Sequence, residues 1–415
     1  MDYKVKDIKL AGQGDLQLEW AAMHMPALGE IEREFAKSKP FKGRRISAVL
    51  HVTKETGVLM RCLKAGGAEI SLAAGNPLST QDDIAAALAK DGISVFAWSG
   101  EGVQQYNEHL QKVLDFDPDI IIDDGADLHA LAHSSGKKLN AIGGTEETTS
   151  GIHRIKAMEK EGILKYPIVA VNNANTKYLF DNRYGTGQST LDGVIRGTNI
   201  FIPGRHVVVA GYGWVGRGVA MRFRGMGARV IITEVDPFKA LEASMDGFDI
   251  MRMDEAAKLG EIFITATGDV DIIVEKHMKV MKDGAILSNT GHFDVEVDVK
   301  ALRAMSVKRR KIRENLEEYT LKNGRRLFLI AEGRLVNLGA AEGHPSEVMD
   351  LSFCNQALSS KYVLDNESKL DNIVYKIPED IDRRIASIKL RTLGISIDEL
   401  SEKQKKYLGA WEIGT

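Results

Sequence analysis

The chain has 415 residues, of which 44% are hydrophobic and 27% charged, a composition that suits a soluble globular protein of two or three domains. Lysine plus arginine number 55 and aspartate plus glutamate 58, a formal net charge of −3. That balance offers no electrostatic attraction for nucleic acid or an anionic membrane, so neither is expected as a partner. Two distant cysteines, Cys62 and Cys354, exclude a disulfide framework and a C-x-x-C zinc site, so no metal is expected and a reducing cytosol is. The first residues, MDYKVKDIKL, lack the apolar core of a secretion signal. No run approaches the ~18 apolar residues of a membrane helix.

Along the chain, short β-branched runs alternate with helical patterns, the mark of βαβ units and parallel sheets. Strands are predicted at 46–52, 68–74, 93–98, 119–125 and 167–172, with helices from about Lys54, over 80–90 and through Met158. This is a doubly wound unit without a glycine fingerprint. The stretch 173–198 is polar and punctuated by glycine. A second α/β unit starts at Pro203-Gly204, with strands at 206–211, 228–233, 262–267, 285–289 and 326–331. The basic run Lys308 to Arg313 reads as a solvated helix or loop face. After His344 the pattern turns helical, so the chain is expected to leave the second unit and repack on the first. The tail from Pro378 is charged and helical. The expected fold class is α/β, with two doubly wound parallel-sheet domains and a cleft between them. The expected boundaries are 1–181 completed by 345–377, then 188–343, with a tail at 378–415. Such clefts favour ligands.

Residues 206–218 read HVVVAGYGWVGRG. Gly211, Gly213 and Gly216 form G-x-G-x-x-G directly after an apolar strand and at the start of a helix. The first glycine permits the tight turn, the second lets a pyrophosphate reach the backbone, and the third lets helix and strand pack closely. The next strand ends in Glu234, whose carboxylate suits a ribose diol and repels a 2′-phosphate. The cofactor expected is NAD.

Polar clusters fall at other predicted strand ends: His51-Val-Thr53-Lys-Glu55, Asp123-Asp124-Gly-Ala-Asp127, Glu146-Glu147-Thr148-Thr149, Thr176-Lys177 with Asp181-Asn182, Asn289-Thr-Gly-His292, Asn337-Leu-Gly and Gly343-His344-Pro. Each alone reads as a cap or turn. Together they supply histidines, a lysine and carboxylates at the ends where parallel sheets bind ligands, a set suited to proton transfer.

These stretches resemble the S-adenosylhomocysteine hydrolase family along nearly the whole chain, through HVTKET, STQDD, IIDDGADL, EETTSGI, TKYLFDN, YGTGQS, VVAGYGWVGRG, NTGHFDVE, AEGRLVNLG and GHPSEVMDLSF. The resemblance implies a redox-neutral hydrolysis of a nucleoside thioether. The ribose 3′-hydroxyl is oxidised, the C4′ proton becomes acidic, homocysteine leaves C5′, water adds, and the ketone is reduced again. It implies Lys177 and Asp181 at the 3′-hydroxyl, with Lys177 brought to a lower pKa by burial or cationic neighbours. It implies Glu147 on the ribose hydroxyls, His51 and Asp124 exchanging protons at C4′ and C5′, and His292 holding the 3′-oxygen. Thr53, Glu55 and His344 are implied at the base, and Thr148, Thr149, Asn182, Asn289 and Asn337 join the glycines and Glu234 on NAD. A homo-oligomer, a tetramer, is also implied.

The chain departs from the family in three places. Thr186 stands where many relatives carry cysteine. Glu342 replaces a methionine near the purine edge, which keeps an inosyl substrate open. The chain ends at KYLGAWEIGT where many relatives continue with a lysine- and tyrosine-bearing tail, so easier NAD loss is expected. A non-catalytic NAD-binding regulator is the reading from another class.

Overall fold

The computed structural model describes residues 2–411; the last residues of the predicted tail lie outside the described residues. The first six strands are β1 (Arg45–Leu50), β2 (Glu69–Ala74), β3 (Ser94–Phe96), β4 (Ile120–Asp123), β5 (Gly143–Glu146) and β6 (Ile168–Ala170). The next eight are β7 (His206–Ala210), β8 (Arg229–Thr233), β9 (Asp249–Ile250), β10 (Ile262–Thr265), β11 (Ala285–Asn289), β12 (Ser306–Arg313), β13 (Leu316–Leu321) and β14 (Arg326–Ile330). The chain then returns to the first unit as β15 (Val374–Lys376).

Two sheets result. The first runs β15-β6-β5-β4-β1-β2-β3, and all its pairs are parallel. The second runs β12-β13-β14-β11-β10-β7-β8-β9. Each contains the order 3-2-1-4-5-6 that opens a crevice where the winding reverses, between β1 and β4 in one sheet and between β7 and β10 in the other. The strands bury apolar side chains on both faces, as parallel strands covered by helices must.

Two features differ from the sequence reading, and a third fills in a stretch it left without an element. The basic run is neither helix nor loop but part of the exposed edge strand β12, antiparallel to β13. Its charges are matched across the ladder, where Arg310 stands opposite Glu318 and bonds both its oxygens at 2.9 Å. β14 is also antiparallel to β13, so the second sheet is mixed at one edge rather than wholly parallel. The polar stretch 173–198 is helical, with a π-helical turn over Tyr178–Gly185 leading into helix Thr186–Thr198.

Helix Ser346–Asp365 repacks on the first unit, as expected from the sequence, and is buried along most of its length. Asp350 ties it down by accepting from the Leu28 amide at 2.7 Å and the Ala27 amide at 3.1 Å, at the start of helix Pro26–Ser38. The tail helix Glu379–Thr392 contributes Asp382, which accepts from the Asn175 amide at 2.7 Å and the Thr176 amide at 2.9 Å. No helix among the described residues is long and apolar enough to cross a membrane.

Candidate active site

The order β6-β5-β4-β1 sets four carboxyl ends in a row. Asn172, Glu147, Asp124 and His51 stand just beyond them, on strands spaced roughly 4.8 Å apart. Opposite lie the ends of β7, β10 and β11 with Gly213, Thr267 and His292. All of these line one cavity of about 650 Å³ between the sheets. Leu335, Leu338, Met349 and Phe353 give it an apolar wall.

One corner is built on the π-helical turn. Its wider i→i+5 winding brings both Asp181 and Asn182 to the face of Lys177. The Lys177 Nζ donates to Asp181 Oδ1 at 3.1 Å and to Asn182 Oδ1 at 2.8 Å, and lies 3.6 Å from Glu147 Oε1. Burial pulls the Lys177 ammonium down, but Asp181 and Glu147 more than offset it and its pKa is raised. The lowered pKa expected from the sequence is therefore corrected, because the neighbours are carboxylates and not cations. Burial also pushes the Asp181 carboxyl up, yet Lys177, His344 and Ser352 outweigh it and hold the group well below the usual range. Glu147 is pushed up to about 8 by burial, despite Lys177. Its Oε1 is buried with no hydrogen-bond partner, so the corner contains an acceptor free for a proton.

The second corner is His51, Asp124 and His292. His51 Nε2 lies 3.4 Å from Asp124 Oδ2, and His292 Nδ1 lies 3.7 Å from Asp124 Oδ1. Ser79 Oγ gives its only proton to Asn76 O at 3.0 Å, so at 2.7 Å it accepts from His51 Nδ1. The His51 Nε2 lone pair is thereby directed at the cavity. Burial pulls the His51 pKa down to about 4, which keeps the ring neutral at neutral pH. Asp124 Oδ1 is a second buried oxygen without a partner.

At the third corner Glu55 accepts from Ser346 Oγ at 2.6 Å and lies 3.2 Å from Lys54 Nζ. Thr53 and His344 also line the cavity. His344 Nδ1 is 3.4 Å from Asp181 Oδ1, and its Nε2 is 3.1 Å from Thr186 Oγ1, so the hydroxyl at position 186 holds this ring. Glu342 does not line this cavity. It is paired with Arg196 at 2.9 Å and Lys54 at 3.5 Å beside a second, polar cavity.

The dinucleotide end has room for its ligand. A Cβ on Gly213 would meet no protein atom within 4 Å, so that backbone is open to the cavity. Gly211 has φ +95, and a Cβ on Gly216 would stand 1.9 Å from Gly211 O. The buried Asn337 Oδ1 has no partner and lines the cavity. Thr148, Thr149 and Asn182 line it too. Helix Trp214–Gly225 begins at this point, and its N-terminus borders the cavity, a position that suits an anionic group. Four predicted cofactor residues do not line the cavity: Gly211 and Gly216 shape the loop from within, and Asn289 and Glu234 stand behind it. Asn289 is fully buried behind the wall, where its amide holds the backbone of Gly291, Phe293 and Gly333. Glu234 turns its oxygens to the amides of Tyr212, Val235 and Asp236 and so braces the glycine loop, while Lys239 and Glu242 line the cavity there.

Sequence reasoning missed one group of buried polar residues. Ser346, Ser352 and Gln356 project from one long helix onto Glu55, Asp181 and Glu147, respectively. Asn172 donates to Thr149 Oγ1 at 3.0 Å and accepts from Asn182 at 3.1 Å. Ser346 and Ser352 lie in the stretch GHPSEVMDLSF, where only His344 has an implied role, and Gln356 and Asn172 lie in none of the matching stretches; the further signal was polar side chains on a helix that must be buried to cover the first sheet.

This fold and site define a dinucleotide-dependent enzyme of two α/β units, with acid–base groups on one unit facing a nucleotide loop on the other. Residues 2–142 match the family model for S-adenosyl-L-homocysteine hydrolase, and residues 182–343 match that for its NAD binding domain. The adenosylhomocysteinases of Sulfurisphaera tokodaii and Sulfolobus acidocaldarius are 61% and 60% identical over 415 residues, covering all of both chains. That of Aquifex aeolicus is 57% identical over 418 residues, again covering all of both chains. The chain belongs to the S-adenosyl-L-homocysteine hydrolase family, and its cofactor is NAD.

Proposed function

We propose that this chain hydrolyses S-adenosyl-L-homocysteine to adenosine and L-homocysteine. The observation that carries the reading is a single cavity holding a lysine–carboxylate corner, a histidine–carboxylate corner and an open glycine loop. Bound NAD would supply the hydride acceptor for C3′ and the hydride that returns once water has added.

The roles of the chain's own groups follow from their proton states. Lys177 starts as an ammonium, so it becomes a base from the state that has Glu147 ionised, by passing a proton to Glu147 Oε1, 3.6 Å away. The raised proton affinity of Glu147 makes it the better acceptor of the two nearby carboxylates. The neutral amine then takes the 3′-hydroxyl proton, and Asp181 and Asn182 hold it in line. The ketone makes the C4′ proton acidic. His51 Nε2, neutral and unencumbered, removes that proton, and Asp124 passes protons between it and the C5′ side. His292 steadies the oxygen at C3′. The apolar wall keeps bulk water from the ketone. Glu55, Thr53 and His344 take the purine. A carboxylate accepts from the adenine amine and meets only O6 at that place on hypoxanthine, which supports the adenosyl substrate over the inosyl one. The similar Sulfurisphaera and Sulfolobus proteins are adenosylhomocysteinases, which agrees. Thr148, Thr149, Asn182, Gly213 and Asn337 form the NAD contacts, with Gly211, Gly216, Glu234 and Asn289 shaping the loops around them.

Residues 1–181 with 345–377 would form the substrate domain, and 188–343 the cofactor domain. Family resemblance further supports a homotetramer, and the cysteine usage a cytosolic setting. Homocysteine release, followed with a thiol reagent on S-adenosyl- and S-inosylhomocysteine in parallel, tests the function. Faster release from the adenosyl substrate is expected. No thiol from either substrate, with bound NAD verified, would overturn the reading.

A further inference from the structure

Behind Asp124 and Glu147 stands a second acidic pair that the mechanism above does not use. Strands β4 and β5 are neighbours, and their register sets Asp123 directly opposite Glu146. Both side chains are fully buried. Asp123 accepts from the Asp124 amide at 2.9 Å and from the His129 amide at 2.8 Å. Glu146 Oε1 accepts from the amides of Gly125 and Thr148, each at 2.9 Å, and from Thr148 Oγ1 at 2.8 Å. Its Oε2 has no partner. The local backbone is shaped around this carboxyl: a Cβ on Gly151 would stand 2.2 Å from it.

One carboxyl group therefore reaches both sides of the site. Gly125 follows Asp124, has φ +103, and a Cβ there would come within 2.4 Å of His292 Nε2. Thr148 follows Glu147 and lines the dinucleotide end. The groups facing the pair do not neutralise it. Asp124 and Asp127 add negative charge from the flanking turns. Arg154 is committed to Asp127 and to Gly125 O. The His129 ring contacts Thr145 O at 3.2 Å and Tyr166 Oη at 3.1 Å, and burial pulls its pKa to about 3, so it is neutral. Two carboxyls this close in a dry interior without a cation cannot both ionise.

We propose that Glu146 is a positioning residue for the hydrolysis: paired with Asp123, with a single proton on the pair, it fixes the turns that carry Asp124 and Thr148 and so sets the proton-transfer groups against the cofactor. The shifts agree in direction. Burial pushes Asp123 up to about 8, and Glu146 is raised well above its ordinary value by burial and then by Asp123. When the shared proton is lost at alkaline pH, the two charges repel and the turns move.

The positioning role rests on the hydrolase reading, and the test separates the two. Infrared difference spectra of holoenzyme, wild type minus Glu146→Gln, read the proton without any turnover. A protonated-carboxyl C=O band present in wild type and lost in the variant is expected, because a neutral glutamine removes the like charge beside Asp123 and lets that carboxyl ionise. A band unchanged by the substitution would overturn the proposal, whatever the protein hydrolyses. Kinetics then read the positioning. Glu146→Gln should keep kcat within about threefold at neutral pH and extend the alkaline limb of the rate profile upward. Glu146→Ala should lose about tenfold or more in kcat, the cost of releasing buried hydrogen-bonded turns. Equal losses in both variants, or an alkaline limb unmoved in Glu146→Gln, would overturn it. If the alanine variant does not fold, the glutamine variant still decides through its band and its pH limb.

Discussion

The two sheets share one strand order, yet they build their halves of the site by different means. At the second sheet the work is done by backbone: Gly211, Gly213 and Gly216 clear a path to the helix beginning at Trp214, within a few residues of sequence. At the first sheet it is done by side chains from four strand ends and a distant helix. Lys177 and Glu147 meet only because β5, β6 and the turn at 178–185 converge, and Gln356 reaches them from far along the chain. A cofactor loop can be local because it needs space and amide dipoles. A proton-transfer site needs groups of opposing proton affinity within a few ångströms, and a parallel sheet supplies those from separated segments.

That contrast can be broken by substitution. At the backbone end, Gly216→Ala places a Cβ 1.9 Å from Gly211 O, and the expected outcome is protein purified without NAD and without turnover. Cofactor content of the purified variant, read by absorbance after acid release, checks it. At the side-chain end, Lys177→Met should keep NAD at wild-type stoichiometry while thiol release falls ~10³-fold, within the range for removal of a general acid–base group. Loss of NAD from this variant would erase the distinction between the two ends. A smaller effect is expected from Ser352→Ala, which removes the 2.8 Å bond to Asp181. It should cost about tenfold in kcat, one hydrogen bond to a charged group, with KM little changed.

Acid should act on the first sheet before the second. His51 and His129 are held neutral by burial, with pKa pulled down to about 4 and about 3. Their unfolded forms take up protons first, so this stabilisation is complete above the unfolded value of about 6.5 and is lost as pH falls through the folded values. Thermal midpoints measured between pH 7 and pH 4 should fall, and less so in His129→Gln. The smallest effect belongs to Glu342→Met. Its half-exposed carboxylate pairs with Arg196 and Lys54 and does not line the main cavity, so no more than about fivefold is expected in kcat/KM, the reach of a surface ion pair.

Legibility in the sequence follows the same division. Period and β-branching marked the longer apolar strands of both sheets, and the glycine spacing marked the loop. The exposed β12 was hidden because its charges look solvated until Glu317 and Glu318 appear opposite them. The strand Gly143–Glu146 was hidden because two glycines weaken the signal, while those glycines give room to His129 and Val363. The side-chain corners were recognised from residue types as polar clusters, and the family resemblance set them together on one substrate. Their proton states were out of reach, as Lys177 shows: burial alone argues for a lowered pKa, and only the placement of Glu147 and Asp181 reverses it.

The central claim is that groups of the first sheet move a proton at C4′ while the cofactor stays with the second. Incubating holoenzyme with adenosine in deuterated water and following the C4′ proton by NMR tests it most directly. The expected result is loss of that signal with wild type, at a rate greatly reduced in His51→Asn that retains NAD. An adenosine C4′ signal that persists with wild type holoenzyme, while homocysteine is still released from the thioether substrate, would contradict the account.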